Sequence, residues 1–146
     1  MSQDDAEGEL TMARVLGRLN GPSYAAMRIV LAFMYWSHGL VWLFGAFGGR
    51  PVPELPPMLL AAGIIETVLG ILIGLGLLTS WAAFIASGEM ACAYFIAHVP
   101  RGSWMPIINQ GEITVALCFG FLYIAMRGAG PYSIDGWLAS RRKSHP

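Results

Sequence analysis

The sequence predicts an all-α integral membrane protein, a four-helix bundle with both termini in the cytoplasm. Composition is the first observation behind this. Of 146 residues, 55% are apolar and only 12% charged, against the roughly 25% charged residues of an ordinary soluble domain. The placement of charge is the second. Between Tyr24 and Met126 the only Asp, Glu, Lys or Arg residues are Arg28, Arg50, Glu54, Glu66, Glu89, Arg101 and Glu112. That window holds four apolar segments near the ~20 residues that a hydrocarbon core requires. The third observation is the asymmetry of basic residues. Arg14, Arg18, Arg28, Arg127, Arg141, Arg142 and Lys143 fall on one side of the predicted spans, and only Arg50 and Arg101 on the other. The positive-inside rule places the richer side in the cytoplasm. The expected location is the bacterial cytoplasmic (inner) membrane, crossed several times.

Residues 1–23 form an acidic cytoplasmic tail, expected to be partly disordered, with Leu10–Leu19 as a short interfacial helix. No basic start followed by an apolar run precedes the first span. A cleaved signal peptide is therefore not expected, and span one serves as an anchor. The membrane domain covers 24–135, with helices at about 24–47, 58–78, 81–98 and 112–126. The first link, GGRPVPELPP, stops its helix by proline density. Only Thr79 and Ser80 are left between spans two and three, which demands a tight antiparallel hairpin. The third link, VPRGSWMPIINQG, carries Pro100, Gly102 and Pro106 as breakers and Trp104 as an interfacial aromatic. Residues 136–146 form a basic cytoplasmic tail, in which Arg141–Lys143 reads as an orientation signal near anionic lipid.

The buried polar residues are the functional candidates. At 1.5 Å per residue, His38, Glu66 and Glu89 lie about 13, 12 and 13 Å below the outer ends of their spans, so three helices bring them to one level. Glu66 shares its face with Ala62, Gly70 and Gly74, the last two forming a G-x-x-x-G that admits a close helix neighbour. Glu89 lies on a stripe of Ala82, Ala86, Ala93 and Ala97, and His38 is flanked by Tyr35 and Trp42. Both carboxyl groups are therefore expected to point inward. Two readings compete: a polar clamp that fixes helix register, and a proton-exchanging site. Ionisable residues inside a membrane are functional by default, which favours the second. His98 is nine residues after Glu89, two and a half turns, and so on the opposite face. It is expected at an outer rim with Asn109 and Glu112, where a plain interfacial histidine is an equal alternative.

Other chemistries find no pattern. The chain has no Glu-x-x-His pair for a di-iron bundle site, no Cys-x-x-Cys, no glycine-rich nucleotide loop and no nucleic-acid-binding patch, and no metal site is expected. His38 and His98 differ in depth by about 13 Å, too far for one haem. Cys92 and Cys118, single cysteines of spans three and four at similar depth, read as small apolar fillers before they read as a redox pair.

The stretches SHGLVWLFGAFGG, GIIETVLGILIGLGLLT, EMACAYFIAHVPRG, NQGE and GAGPYSID, in that order, resemble the DoxX family of small four-helix bacterial membrane proteins. Together they cover about Tyr24 to Asp135. Family-like positions are His38, Gly39, Phe44, Gly45, Glu66, Glu89, Tyr94, His98, Pro100, Asn109, Glu112 and Asp135. Trp42 stands where such proteins often have lysine, and Gln110 where glycine is commoner. The resemblance implies a membrane protein linked to quinone or sulfur redox chemistry and to oxidative stress, without settling whether the protein is itself catalytic. Two functional classes stay open. One is an accessory or quinone-interacting redox component built on His38, Glu66 and Glu89. The other is a non-enzymatic small-solute or proton pathway, or a membrane scaffold for a redox partner. No cofactor motif is encoded, and a quinone is the one cofactor the resemblance implies. The expected partners are membrane lipid, a redox protein and a second copy of the chain, and not nucleic acid.

Overall fold

The computed structural model describes residues 3–49 and 55–143, among which every regular element is a helix. Residues 50–54, half of the proline-rich first link and including Arg50 and Glu54, lie outside the described residues. The principal helices are α1 (Gln3–Phe44), α2 (Pro57–Leu75), α3 (Thr79–Ala93), α4 (Pro106–Asn109), α5 (Glu112–Arg127) and α6 (Ile134–Lys143). Three helical stretches are long and apolar enough to cross a membrane: Thr11–Phe44, Pro57–Leu75 and Thr79–Arg101. The expected fourth span, α5, has 16 residues, about 24 Å of helix.

The ends of these helices follow from backbone chemistry that the apolar pattern alone did not locate. The acidic start is helical from Gln3 onward. Helix α1 runs unbroken from Gln3 through Pro22 to Phe44, and the whole stretch Thr11–Asn20 is exposed along it. It stops short of Phe47 because Gly45 takes a left-handed conformation, its N–H bonding the Val41 carbonyl at 3.0 Å. Helix α2 ends at Leu75, three residues before the expected Leu78. There Gly76 turns left-handed, and Gly76 and Leu77 donate back to Ile73 and Leu72.

Thr79 and Ser80 accordingly belong to α3 and not to a loop. The cap of α3 comes from far along the chain. Asp135 accepts hydrogen bonds from the N–H groups of Leu78 and Thr79, both at 3.0 Å, and from the Thr79 hydroxyl at 2.9 Å. Burial works against the charged Asp135 carboxylate, but these donors and the nearby Arg28 outweigh it and hold its pKa below the ordinary value. Arg28 is only 1% exposed and donates to the Tyr132 carbonyl at 2.7 Å. It ties α1 to the GPYSID segment as well as adding to the basic count.

Helices α1 and α2 pack as one close pair, and α3 and α5 as another. A shared core of Tyr35, Ile73, Ala86, Leu117 and Phe121 lies between them. Large apolar side chains such as Phe33, Ile71, Phe84 and Phe119 face outward, the inverse of a water-soluble surface. The α1–α2 contact depends on missing side chains. A Cβ on Gly70 would meet the Trp36 Cβ at 2.7 Å, and one on Gly39 would meet the Thr67 hydroxyl at 2.5 Å and the Gly63 carbonyl at 2.8 Å. Gly74, the second glycine of the G-x-x-x-G, has room: its nearest neighbour would be Ala32 at 3.6 Å. The close approach therefore rests on Gly39 and Gly70. Gly39→Ala and Gly70→Ala should each destabilise by about 1–3 kcal/mol through overpacking. Gly74→Ala should leave thermal stability in detergent nearly unchanged, and equal losses at all three positions would refute this packing.

Candidate functional site

The buried face of α2 is made by Gly63, Glu66, Gly70 and Ile73, spaced by one or two helical turns. Glu66 is thus carried on the face that the glycines press toward α1, and it is 4% exposed. It opens into a cavity of about 460 Å³. Helix α1 contributes Tyr35, His38 and Trp42; α2 contributes Leu59, Ala62 and Glu66; α3 contributes Glu89, Met90 and Ala93. Ala97, His98 and Arg101 come from the helical turns that follow α3, Gln110 from the turn before α5, and Ile113, Thr114 and Leu117 from the first turns of α5. Arg101 and Gln110, both exposed, stand at the mouth, while buried Tyr35, Met90 and Leu117 close the far end. Beyond them the Phe121 ring meets Tyr35 edge-on, centroids 5.0 Å apart.

His38, Glu66 and Glu89 therefore line one space. Glu89 is half-buried and accepts a hydrogen bond from the Tyr35 hydroxyl at 3.1 Å. The Glu66 Oε2 is buried and has no hydrogen-bond partner. A buried carboxyl oxygen left in that state is costly unless something enters the cavity to meet it. Among the described residues no three His, Cys, Asp or Glu side chains converge as metal ligands would. Cys92 and Cys118 are unbonded, Cys92 exposed and Cys118 with its sulfur 3.7 Å from the Ser87 hydroxyl.

His98 does not lie opposite Glu89, because the helix changes pitch between them. Residues Tyr94–His98 form a π-helical turn, which accommodates one extra residue. Nine residues then count as eight, and the angle between the two side chains falls from about 180° to about 80°. His98 so reaches the cavity, held from three sides. Its ring stacks on Tyr94 with centroids 6.2 Å apart, Nδ1 lies 3.2 Å from the Asn109 carbonyl, and Nε2 lies 3.1 Å from the Thr114 hydroxyl. A carbonyl can only accept, so Nδ1 carries the proton and, in the neutral ring, Nε2 accepts from Thr114.

The other two expected rim residues are placed differently. Asn109 is 1% exposed and lies behind the cavity wall. Its amide donates to the Tyr94 hydroxyl at 3.2 Å and to the Ser103 carbonyl at 3.0 Å, and its Oδ1 accepts from the Gly111 N–H at 2.9 Å. The Tyr94 hydroxyl in turn donates to the Trp104 carbonyl. Asn109 thus organises the link that holds His98. Glu112 is exposed in the first turn of α5, where a carboxylate suits the helix dipole, and does not line the cavity. Gln110 occupies a left-handed backbone conformation, φ 60°, one that glycine adopts without strain. Tyr35, Arg101 and Thr114 are site residues that the sequence pattern did not single out. Tyr35 had a usable signal, being one turn before His38 on the same face.

Helices with apolar exteriors around an inward carboxyl cavity, among the described residues, are the arrangement of a helical membrane protein. The DoxX family model matches residues 23–99, more than half of the chain. A Haemophilus influenzae protein, described only as an uncharacterized protein, is 44% identical over 117 residues, covering 76% of this chain and 87% of its own. The chain belongs to the DoxX family, as its motifs anticipated. No solved structure matches it significantly.

The geometry separates structural from cavity-facing polar residues. Asn109→Ala should lower stability by about 2–3 kcal/mol, since it strands buried partners. Glu112→Gln should change it by less than about 0.5 kcal/mol. Thermal unfolding in detergent measures both, and the reverse order would show that the rim assignment was correct after all.

Proposed function

We propose that α1, α2, α3 and α5 form a four-helix transmembrane bundle in the bacterial cytoplasmic membrane, with both termini cytoplasmic, and that its cavity holds the head group of a quinone. The protein would serve as an accessory component of a membrane redox or oxidative-stress system. The basic residues support the orientation, with Arg101 at the outward end of the cavity. Although α5 is short, the α4 turn and the Asn109 network continue it toward the outer surface.

The observation that carries the binding reading is the unpartnered Glu66 oxygen facing a cavity of small-molecule size, about 460 Å³. A quinol hydroxyl can donate to Glu66 or Glu89, and a quinone carbonyl can accept from a protonated carboxyl, Tyr35 or His38. Quinone reduction consumes two electrons and two protons. In this reading a redox protein partner supplies the electrons, and the residues of the cavity hold the ring and exchange protons with it. A proton or solute pathway through the bundle is the second reading. The cavity favours it, and the packed Tyr35–Phe121 floor opposes it.

Trp42 lines the cavity and gives a direct readout, because a bound quinone quenches its fluorescence. In protein reconstituted into nanodiscs, Glu66→Gln and Glu89→Gln should retain the thermal midpoint. Each should weaken binding of a benzoquinone by tenfold or more, and lower host resistance to the same compound. Unchanged binding and resistance in both variants would contradict the proposal and favour a polar clamp.

A further inference from the structure

Glu89 borders two spaces. One is the central cavity, and the other is a groove of about 260 Å³ between the first turns of α2 and the last turns of α3. The tight turn at 76–78 pins these helices together at one end, and the groove occupies the opposite end of the pair. Met58 and Ile96 on its walls are exposed, so the groove faces outward from the helices, and apart from Glu89, Cys92 and the Met58 thioether its lining is hydrocarbon. Leu59, Ala62, Glu89, Ala93 and Ala97 line both spaces. Three of these five are alanines. The partition is thus thin, and only the Leu59 and Glu89 side chains are large enough to close it.

We propose that the α2–α3 seam is a lateral portal, gated by Leu59 and Glu89, through which the hydrocarbon tail of a membrane-dissolved ligand passes from the cavity into the bilayer. The inference rests on the quinone reading and narrows it to the lipid-tailed class. A small polar solute needs only the mouth beside Arg101 and Gln110. A cavity with an unpartnered carboxyl at its centre and an apolar groove at its side matches a compact polar ring carrying a hydrocarbon chain. The seam is also where the carboxyl group of Glu89 stands between ring and lipid. Movement of that side chain would at once open the portal and present the carboxyl to the entering ring.

The test uses two fully substituted benzoquinones, one bearing a decyl tail with a diazirine at mid-chain, the other bearing methyl in its place. Both are bound to the full chain in nanodiscs. Photolysis of the tailed compound should label peptides containing 58–65 and 92–97, and excess unmodified decyl compound should suppress the labelling. Ala61→Phe, which adds bulk at an exposed position that lines the groove and not the central cavity, should weaken the tailed compound by tenfold or more while leaving the methyl compound unchanged. Labelling confined to other helices would overturn the portal and leave the quinone reading standing. So would wild-type affinity of the tailed compound for Ala61→Phe. Failure of the wild-type chain to bind either ring would overturn the quinone reading and the portal with it. Should Ala61→Phe lose both rings, the labelling map of the wild-type chain decides: seam peptides support the portal and any other site removes it.

Discussion

Two carboxyl groups inside apolar helices are the constraint around which this structure is arranged. Insertion scales charge an acidic residue at the centre of a membrane helix about 2.5–3.5 kcal/mol. The chain meets that cost by turning Glu66 and Glu89 toward each other's cavity and by surrounding them with residues that take up little space. Gly39 and Gly70 let α1 and α2 touch, which fixes the rotation of α2 and so directs Glu66 inward. Ala82 and Ala86 bury one face of α3, and farther along the same helix Glu89 meets the Tyr35 hydroxyl. The π-helical turn then brings His98 round to the same side.

The opposite end of the molecule holds the helices in register for that arrangement. Asp135 caps α3, Arg28 bonds the Tyr132 carbonyl, and Arg127 lies over the Tyr24 ring at 4.4 Å. These contacts join α1 and α3 to the end of α5 and the segment after it, residues far apart in sequence. The turn between α2 and α3 lies at this end, and the groove beside Glu89 at the other.

Much of this was legible in the sequence, because membrane helices are recorded in hydropathy and small-residue spacing. The positions of α2 and α3, the inward facing of Glu66 and Glu89, and their meeting with His38 follow from apolar length and helical period. What escaped were features set by backbone geometry or by distant partners. The left-handed Gly45 and Gly76 decide where helices stop, and nothing in an apolar pattern marks them. The cap on α3 comes from Asp135, which no local rule could find. An α-helical count placed His98 opposite Glu89, and the π turn that corrects it has no sequence period of its own. Asn109 read as a rim residue because it is polar and near the surface, whereas its side-chain hydrogen bonds to Tyr94, Ser103 and Gly111 hold it inside the wall. The acidic start reads as partly disordered because of its charges, whereas from Gln3 onward it is helix continuous with α1.

The central claim is that Glu66 faces a polar cavity reached from the outer side of the membrane. It can be measured with Glu66→Cys in a chain whose two native cysteines have been replaced, beside Ile71→Cys as a lipid-facing reference. A charged, membrane-impermeant thiosulfonate reagent is applied to the outer face of intact spheroplasts. The account expects modification at position 66 and none at position 71. No modification at 66, or modification only when the reagent is admitted to the cytoplasmic face, would contradict it.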